Sequence, residues 1–339
     1  STDLSGQKIT TAYHHVGQIV GNNDDGLVYA LGDGNGLNAE GSGWSLTRYS
    51  GTDRGGSDIG NWGTVVRLGD KLSEGNEGVV TFDQDTHTVQ VQNGTGTEIS
   101  SANAFAAYAL AFDLSKAYKG SGSSAALSFA NIVDATVSQT VTLTGDIDLT
   151  GIGILGIGKD NGVFGQKFQG TLDGTGHTIT LDIGATYGVG LSVADKAAGQ
   201  FYTKSYDARD AHCSLALLPF AGDVTIQNLT IAGNVSSVVP KGVKQEDSSS
   251  DLRYPAFLSA TVGLASGKTR FEKVDVETKI SVTAEVDANK LHVWQGGFVG
   301  RCKGNTLTFA NCTWGSKSTL TDERTTENQR IGGFAAEVM

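Results

Sequence analysis

The chain has 339 residues, enough for one large or two medium domains, and carries 25 Lys and Arg against 36 Asp and Glu, a formal net charge of −11. A diffuse acidic surface repels phosphate backbones, so nucleic acid is not an expected partner, and no apolar run approaches the roughly 18 residues that membrane insertion by a helix requires. Glycine is abundant at 47, with only 3 prolines and 1 methionine, and short apolar runs alternate with Gly, Ser, Thr and Asn, which predicts many short strands and argues against a helical bundle.

In chain order, residues 1–98 read as a β-rich segment, with strands predicted at 63–68, 79–82 and 88–91. They form either a small β domain or the end of a preceding solenoid, and the polar stretch 93–98 is the expected boundary. His14 and His15 are adjacent, so their side chains diverge on a strand, and no third metal ligand follows. Asp33-Gly34-Asn35-Gly36 begins like a calcium loop but lacks the closing Glu. Trp44, Arg48 and Tyr49 cluster in the way binding surfaces enrich aromatic residues and Arg.

The best helix candidate spans residues 100–112, with Ser100 or Ser101 as N-cap. Phe105, Tyr108, Ala109 and Phe112 share one face at helical spacing. Residues 141–149 and 178–183 then alternate as strands. The insertion 184–218 interrupts the pattern. Within it, Tyr202, Tyr206 and Arg209 form the second aromatic and basic cluster. Such aromatics either bind a partner or cover a flank of the molecule.

Beyond the insertion lies an internal repeat of the spacing apolar-x-x-apolar-x-apolar. Ile226, Leu229 and Ile231 carry it in VTIQNLTIAG, Phe271, Val274 and Val276 in TRFEKVDVET, and Phe309, Cys312 and Trp314 in LTFANCTWGS. Gly296-Gly297-Phe298-Val299-Gly300 recurs 36 residues later as Gly332-Gly333-Phe334-Ala335-Ala336, with a weaker forerunner at residues 17–21. Such units bury their apolar sides only by stacking, so the expected architecture is a mostly β solenoid, with Leu229, Val274 and Cys312 in one internal ladder and the helix capping the first coil. An antiparallel sandwich does not predict these repeats. The last residues read as the middle of a repeat, so the chain is expected to be a piece of a longer protein. Its opening Ser1-Thr2-Asp3 lacks a basic and apolar leader pattern, so these residues are not expected to be a signal peptide.

A helix ending in AAYALAF, then VTLTGDIDLTG, GIGKDNGVFGQKFQGTLDGTGHTITLDI, VTIQNLTIAG and GGFVG together resemble the β-helical modules with GLUG-type repeats of large secreted and wall-attached bacterial proteins. The resemblance covers roughly residues 99–339, and GTLDGTGHTI at 170–179 is its most specific part. It implies a right-handed parallel β-helix over 99–339, after the 1–98 segment, and an extracellular, cell-surface location. It also implies an architectural motif with no catalytic residues; from ligand spacing no metal is expected, and no cofactor is expected either. Related modules occur in adhesins of gut bacteria, so the implied partner is a host secreted glycoprotein, immunoglobulin or glycan. The candidate contact residues, read from composition rather than from the resemblance, are Tyr202, Tyr206, Arg209, Trp44, Arg48 and Tyr49.

The competing expectation is a polysaccharide lyase or glycoside hydrolase, since β-helices host both. Asp146 and Asp148 lie on one strand face and Asp173 near a turn, but no Arg or Lys base is close in sequence. His177 and Asp173 read as turn residues of the motif, and Arg253-Tyr254-Pro255 lacks a second Arg. A Thr row at Thr140, Thr142 and Thr144 is not continued regularly enough for ice binding. Three cysteines, Cys213, Cys302 and Cys312, are too few for a disulfide framework; Cys312 is expected to be a buried thiol, and its pairing with Cys302 stays open. Asn-x-Ser/Thr sequences at Asn93, Asn228, Asn234 and Asn311 read as fortuitous.

Overall fold

The computed structural model describes residues 88–113, 128–150, 156–158, 167–186, 213–239, 256–284, 293–303, 306–323 and 329–339. It also places strands β1 (Gly17–Val20), β2 (Gly26–Leu31), β3 (Ser57–Ile59), β4 (Gly63–Leu68) and β5 (Val80–Asp83). The architecture is mostly β and built from open parallel sheets, not a closed barrel. β1 pairs with β3 and β2 with β4, both parallel. β5 and β6 (Thr88–Val91) form an antiparallel pair. The strands predicted at 63–68, 79–82 and 88–91 are thus present, within one residue. β6 also pairs in parallel with β8 (Ser128–Ala130), across the stretch 93–98, and β7 (Glu98–Ile99) lies between them in sequence.

Helix α1 (Ala102–Asp113) starts where its cap predicts: Ala104 N donates to Ser101 Oγ at 3.2 Å. The sequence pattern suggests one apolar face, whereas every side chain from 105 to 112 is buried. Four of these eight are alanines, so the helix has little polar surface to turn toward water. Phe112 packs on Phe168 with ring centroids 5.9 Å apart. Burial holds the Tyr108 hydroxyl neutral well above the ordinary tyrosine range, and its oxygen has no hydrogen-bond partner among the described residues.

The main body follows as six successive rows of chain. β9 (Gln139–Leu143) and β10 (Ile147–Asp148) form the first, β11 (Phe168–Asp173) and β12 (Thr178–Thr186) the second. The third holds β13 (Cys213–Leu215) and β14 (Leu218–Val239); the fourth holds β15 (Ala256–Ser259), β16 (Val262–Ala265) and β17 (Thr269–Ala284). β18 (Val293–Gly296), β19 (Val299–Cys302), β20 (Leu307–Ala310), β21 (Thr313–Trp314) and β22 (Thr319–Asp322) form the fifth. β23 (Gln329–Gly332) and β24 (Ala335–Val338) form the last.

Every pairing between rows is parallel. One sheet stacks β13, β15, β18 and β23. A second runs β24–β19–β16–β14–β11–β9–β7, with β17 beside β14 and β20, β21 and β22 beside β17. Register is continuous: Leu172 sits opposite Ile226, Ile226 opposite Phe271, and Phe271 opposite Phe309. The segment read as one strand over 141–149 is broken at residues 144–146, because each row turns a corner there. The insertion is also shorter than its sequence suggests. Residues 184–186 pair with 236–238 in β12 and β14, and Leu215 pairs with Leu258.

The corner explains the repeat spacing. A straight strand repeats its inward residue every second position. Asn228, Lys273 and Asn311 adopt left-handed φ values of 50°, 53° and 54°, each between two inward apolar residues. One left-handed residue bends the strand, so a third position intervenes before the next inward side chain. Asn tolerates this conformation better than most residues. The Asn-x-Thr sequences at Asn228 and Asn311 therefore follow from backbone geometry. Gly174 marks the matching corner one row earlier, where a Cβ would meet Leu229 Cβ at 2.7 Å.

Leu229 pairs with Val274, and the flanking pairs Glu272 to Ala310 and Asp275 to Thr313 put Cys312 opposite Val274. The ladder forms, but Cys312 is half-buried rather than buried, because β20, β21 and β22 pair only with β17 among the described strands. Cys302 is buried, and it forms no disulfide with Cys312.

Candidate functional site

Outward-facing positions of the rows form ladders as regular as the inward ones. Thr140, Thr171, Thr225, Arg270 and Thr308 are successive partners across five rows. At the end of this ladder a groove of about 430 Å³ is lined by Asp223, Val224, Thr225, Lys268, Thr269, Arg270, Thr306 and Thr308. That is within the usual range of ligand sites. Val224 and Thr269 are buried and supply its floor, whereas Lys268, Arg270, Thr306 and Thr308 are exposed.

Two turns shape one wall. Asp223 is left-handed with φ 53°, and Gly267 has φ 124°. Asp223 Oδ1 accepts from Lys268 N at 3.2 Å, locking the two turns together. Lys167 Nζ lies 3.6 Å from Asp223 Oδ2. Arg270 donates to Glu272 Oε2 through Nε at 3.3 Å and Nη2 at 2.8 Å, and this bond holds the Glu272 carboxyl below its usual range. Of the described residues that line the groove, Lys268 and Arg270 are cationic and Asp223 is the one carboxylate, a local positive excess in a chain of net charge −11. Among the described residues the Lys268 ammonium meets no carboxylate, and the hydroxyls of Thr225, Thr306 and Thr308 make no hydrogen bond.

The acids considered for catalysis sit elsewhere and are engaged in turns. Asp146 accepts from Thr178 N at 2.9 Å and lies 3.3 Å from His177 Nδ1; these contacts hold its carboxyl below the ordinary range. Asp148 accepts from Thr150 N at 2.9 Å. Partial burial pushes the Asp173 carboxyl up, but bonds from Gln227 Nε2 at 2.8 Å, Thr175 N at 2.9 Å and Asn228 Nδ2 at 3.1 Å outweigh it and hold the group low. Among the described residues no three His, Cys, Asp or Glu side chains could hold a metal ion, and no helix is long and apolar enough to cross a membrane.

Tyr202, Tyr206, Arg209, Trp44, Arg48 and Tyr49 lie outside the described residues, as do His14, His15, residues 33–36 and Arg253. The groove was not found in the sequence. Its signal was nevertheless present in aligned outward positions of the repeat, Thr225, Arg270 and Thr308, one residue before each first apolar residue of the pattern. What the groove offers is hydroxyls and two cations, Lys268 and Arg270, beside a left-handed turn, a set suited to holding a polar ligand. No family model matches the chain, no curated protein matches it, and no solved structure matches it.

Proposed function

We propose that the chain is a non-catalytic module of a large bacterial surface protein, built as a right-handed parallel β-helix whose first coil is closed by α1. In this reading it binds host secreted glycoproteins, immunoglobulin among them, or their glycans. The rows that pair in register with the row before and the row after support the solenoid, since units that cannot bury their apolar sides alone must stack. Right-handedness follows the strong preference of parallel crossovers. The buried α1 beside Phe168 of the second row supports the cap.

The observation that carries the binding reading is the groove along Thr225, Arg270 and Thr308. It gathers cations and uncommitted hydroxyls, while Asp146 and Asp173 commit their oxygens to bonds with the next row. A GLUG-type surface module would use such outward ladders for contact and inward ladders for rigidity.

The test is capture of immobilised immunoglobulin and secreted mucin by the purified chain, with a glycan array alongside. Saturable binding to one of these, without change in the glycan, is expected. Turnover of a uronate polysaccharide, abolished by Asp146→Ala or Asp173→Ala, would replace this reading with a lyase or hydrolase.

A further inference from the structure

We infer that the groove at Thr225, Arg270 and Thr308 is a subsite for an acidic sugar, an oligosaccharide unit carrying a carboxylate or sulfate on an otherwise neutral, hydroxyl-rich body. The inference deepens the binding reading above and rests on it. Three features of the groove select this chemistry.

The first is the cation pair. Arg270 and Lys268 stand two residues apart, on either side of buried Thr269. Arg270 already holds Glu272 through Nε and Nη2, both on Oε2. Its orientation is therefore set before any ligand arrives, and Nη1 takes no part in the bond to Glu272. A fixed guanidinium fork suits planar or tetrahedral oxyanions. Lys268 adds a second charge whose backbone is anchored by Asp223.

The second is the hydroxyl frame. Thr225 and Thr308 flank Arg270 in register, each one strand spacing away, about 4.8 Å. With Thr306 they present hydroxyls that no protein group satisfies among the described residues. Hydroxyls that both donate and accept match a polyol better than a peptide side chain.

The third is the scale of the charge. The local excess is a single positive charge by residue count, in a chain of −11. A densely charged polyanion would be repelled by the surroundings. A ligand with one anionic group on a neutral body would not.

The experiment titrates the full chain with three sugars sharing one core: lactose, 3′-sialyllactose for the carboxylate and 3′-sulfolactose for the sulfate. At least one acidic form should bind about tenfold or more tightly than lactose, a difference of about 1.4 kcal/mol. Arg270→Ala and Lys268→Ala should each erase most of that preference and leave the melting midpoint unchanged. Which acidic form wins identifies the anion.

Equal affinity for lactose and both acidic sugars would overturn the inference, as would no binding of any of them at millimolar concentration. Retention of the preference in both Arg270→Ala and Lys268→Ala would place the subsite elsewhere and overturn the assignment to this groove. None of these results touches capture of immunoglobulin or mucin, so the broader binding reading stands or falls separately.

Discussion

The fourth and fifth rows carry the same pattern, yet they differ in burial. Phe271, Val274 and Val276 are fully buried; their partners Phe309, Cys312 and Trp314 are only partly so. Phe298 is buried, whereas Phe334, stacked on it at 4.9 Å and 3°, is 40% exposed. Four of the five exposed large hydrophobics among the described residues, Ile331, Phe334, Val338 and Met339, fall in the last row. The pattern in one row thus sets which way a side chain points, and the next row sets whether it is buried. Stability in such an array is a sum of row-to-row contacts.

The largest expected effect follows from this. Phe271 stacks face to face on Phe309 at 5.0 Å and edge-on to Phe298 at 5.5 Å. Phe271→Ala should destabilise by about 3–5 kcal/mol, as should Phe105→Ala in α1. Phe309→Ala, with solvent already on one side, should cost less than about half of that. Denaturant unfolding of the three variants checks the order; equal losses at Phe271 and Phe309 would mean that the fifth row is covered in solution. An unchanged midpoint for Phe105→Ala would make α1 peripheral.

A smaller contrast comes one position along. Val274→Ala should cost about 2 kcal/mol, from two lost methyl groups and a cavity. Cys312→Ala, at the same ladder position, should cost less than about 1 kcal/mol. A Cys312 loss as large as that of Val274 would contradict the nearest-row account.

The corner gives a prediction of opposite sign. Lys273 occupies the left-handed position that Asn fills in the neighbouring rows. Lys273→Asn should raise stability by up to about 1 kcal/mol, and Asn228→Ala should lower it by about 1 kcal/mol. Thermal midpoints of both variants test this. If Lys273→Asn lowers stability, the Lys273 side chain is doing something the backbone argument omits.

Much of this architecture was legible in the sequence. The repeat spacing located the inward ladder through Leu229, Val274 and Cys312, because apolar spacing reports side-chain direction. The cap Ser101 and the helix were visible for similarly local reasons. Other features depend on what lies one row away, which a single stretch of sequence does not carry. The corner at 144–146 looks like continuous alternation from Val141 to Leu149. The half-burial of Cys312 needs the knowledge that β20, β21 and β22 have one neighbour. The groove escaped because it joins Asp223, Lys268 and Thr306, which meet only after three rows are stacked. The aromatic clusters at Trp44–Tyr49 and Tyr202–Arg209 stood out by composition alone and lie outside the described residues.

The smallest effect separates bonds between rows from bonds within a turn. Asp173 reaches across to Gln227 and Asn228 of the next row, whereas Asp134 accepts from Thr136 N and Oγ1 within its own turn. Both carboxyls are held below their ordinary range, Asp134 by the Thr136 hydroxyl and amide. A carboxyl lowered in the folded state stabilises fully above its unfolded pKa of about 3.9, and the contribution is lost as pH falls through the folded value. Asp173→Asn should therefore lower the melting midpoint at pH 7, by less than about 1 kcal/mol of stability. The difference from the parent chain should stay constant down to about pH 5 and shrink below about pH 4. Asp134→Asn should follow the same pH course with a smaller shift, since Asp134 and Thr136 are both exposed and the carboxyl's two bonds stay within one turn. Melting curves of both variants from pH 3 to pH 7 provide the check. A pH-independent loss at Asp173 would show that the lost shape of the corner, rather than the carboxylate's charge, holds the second and third rows together.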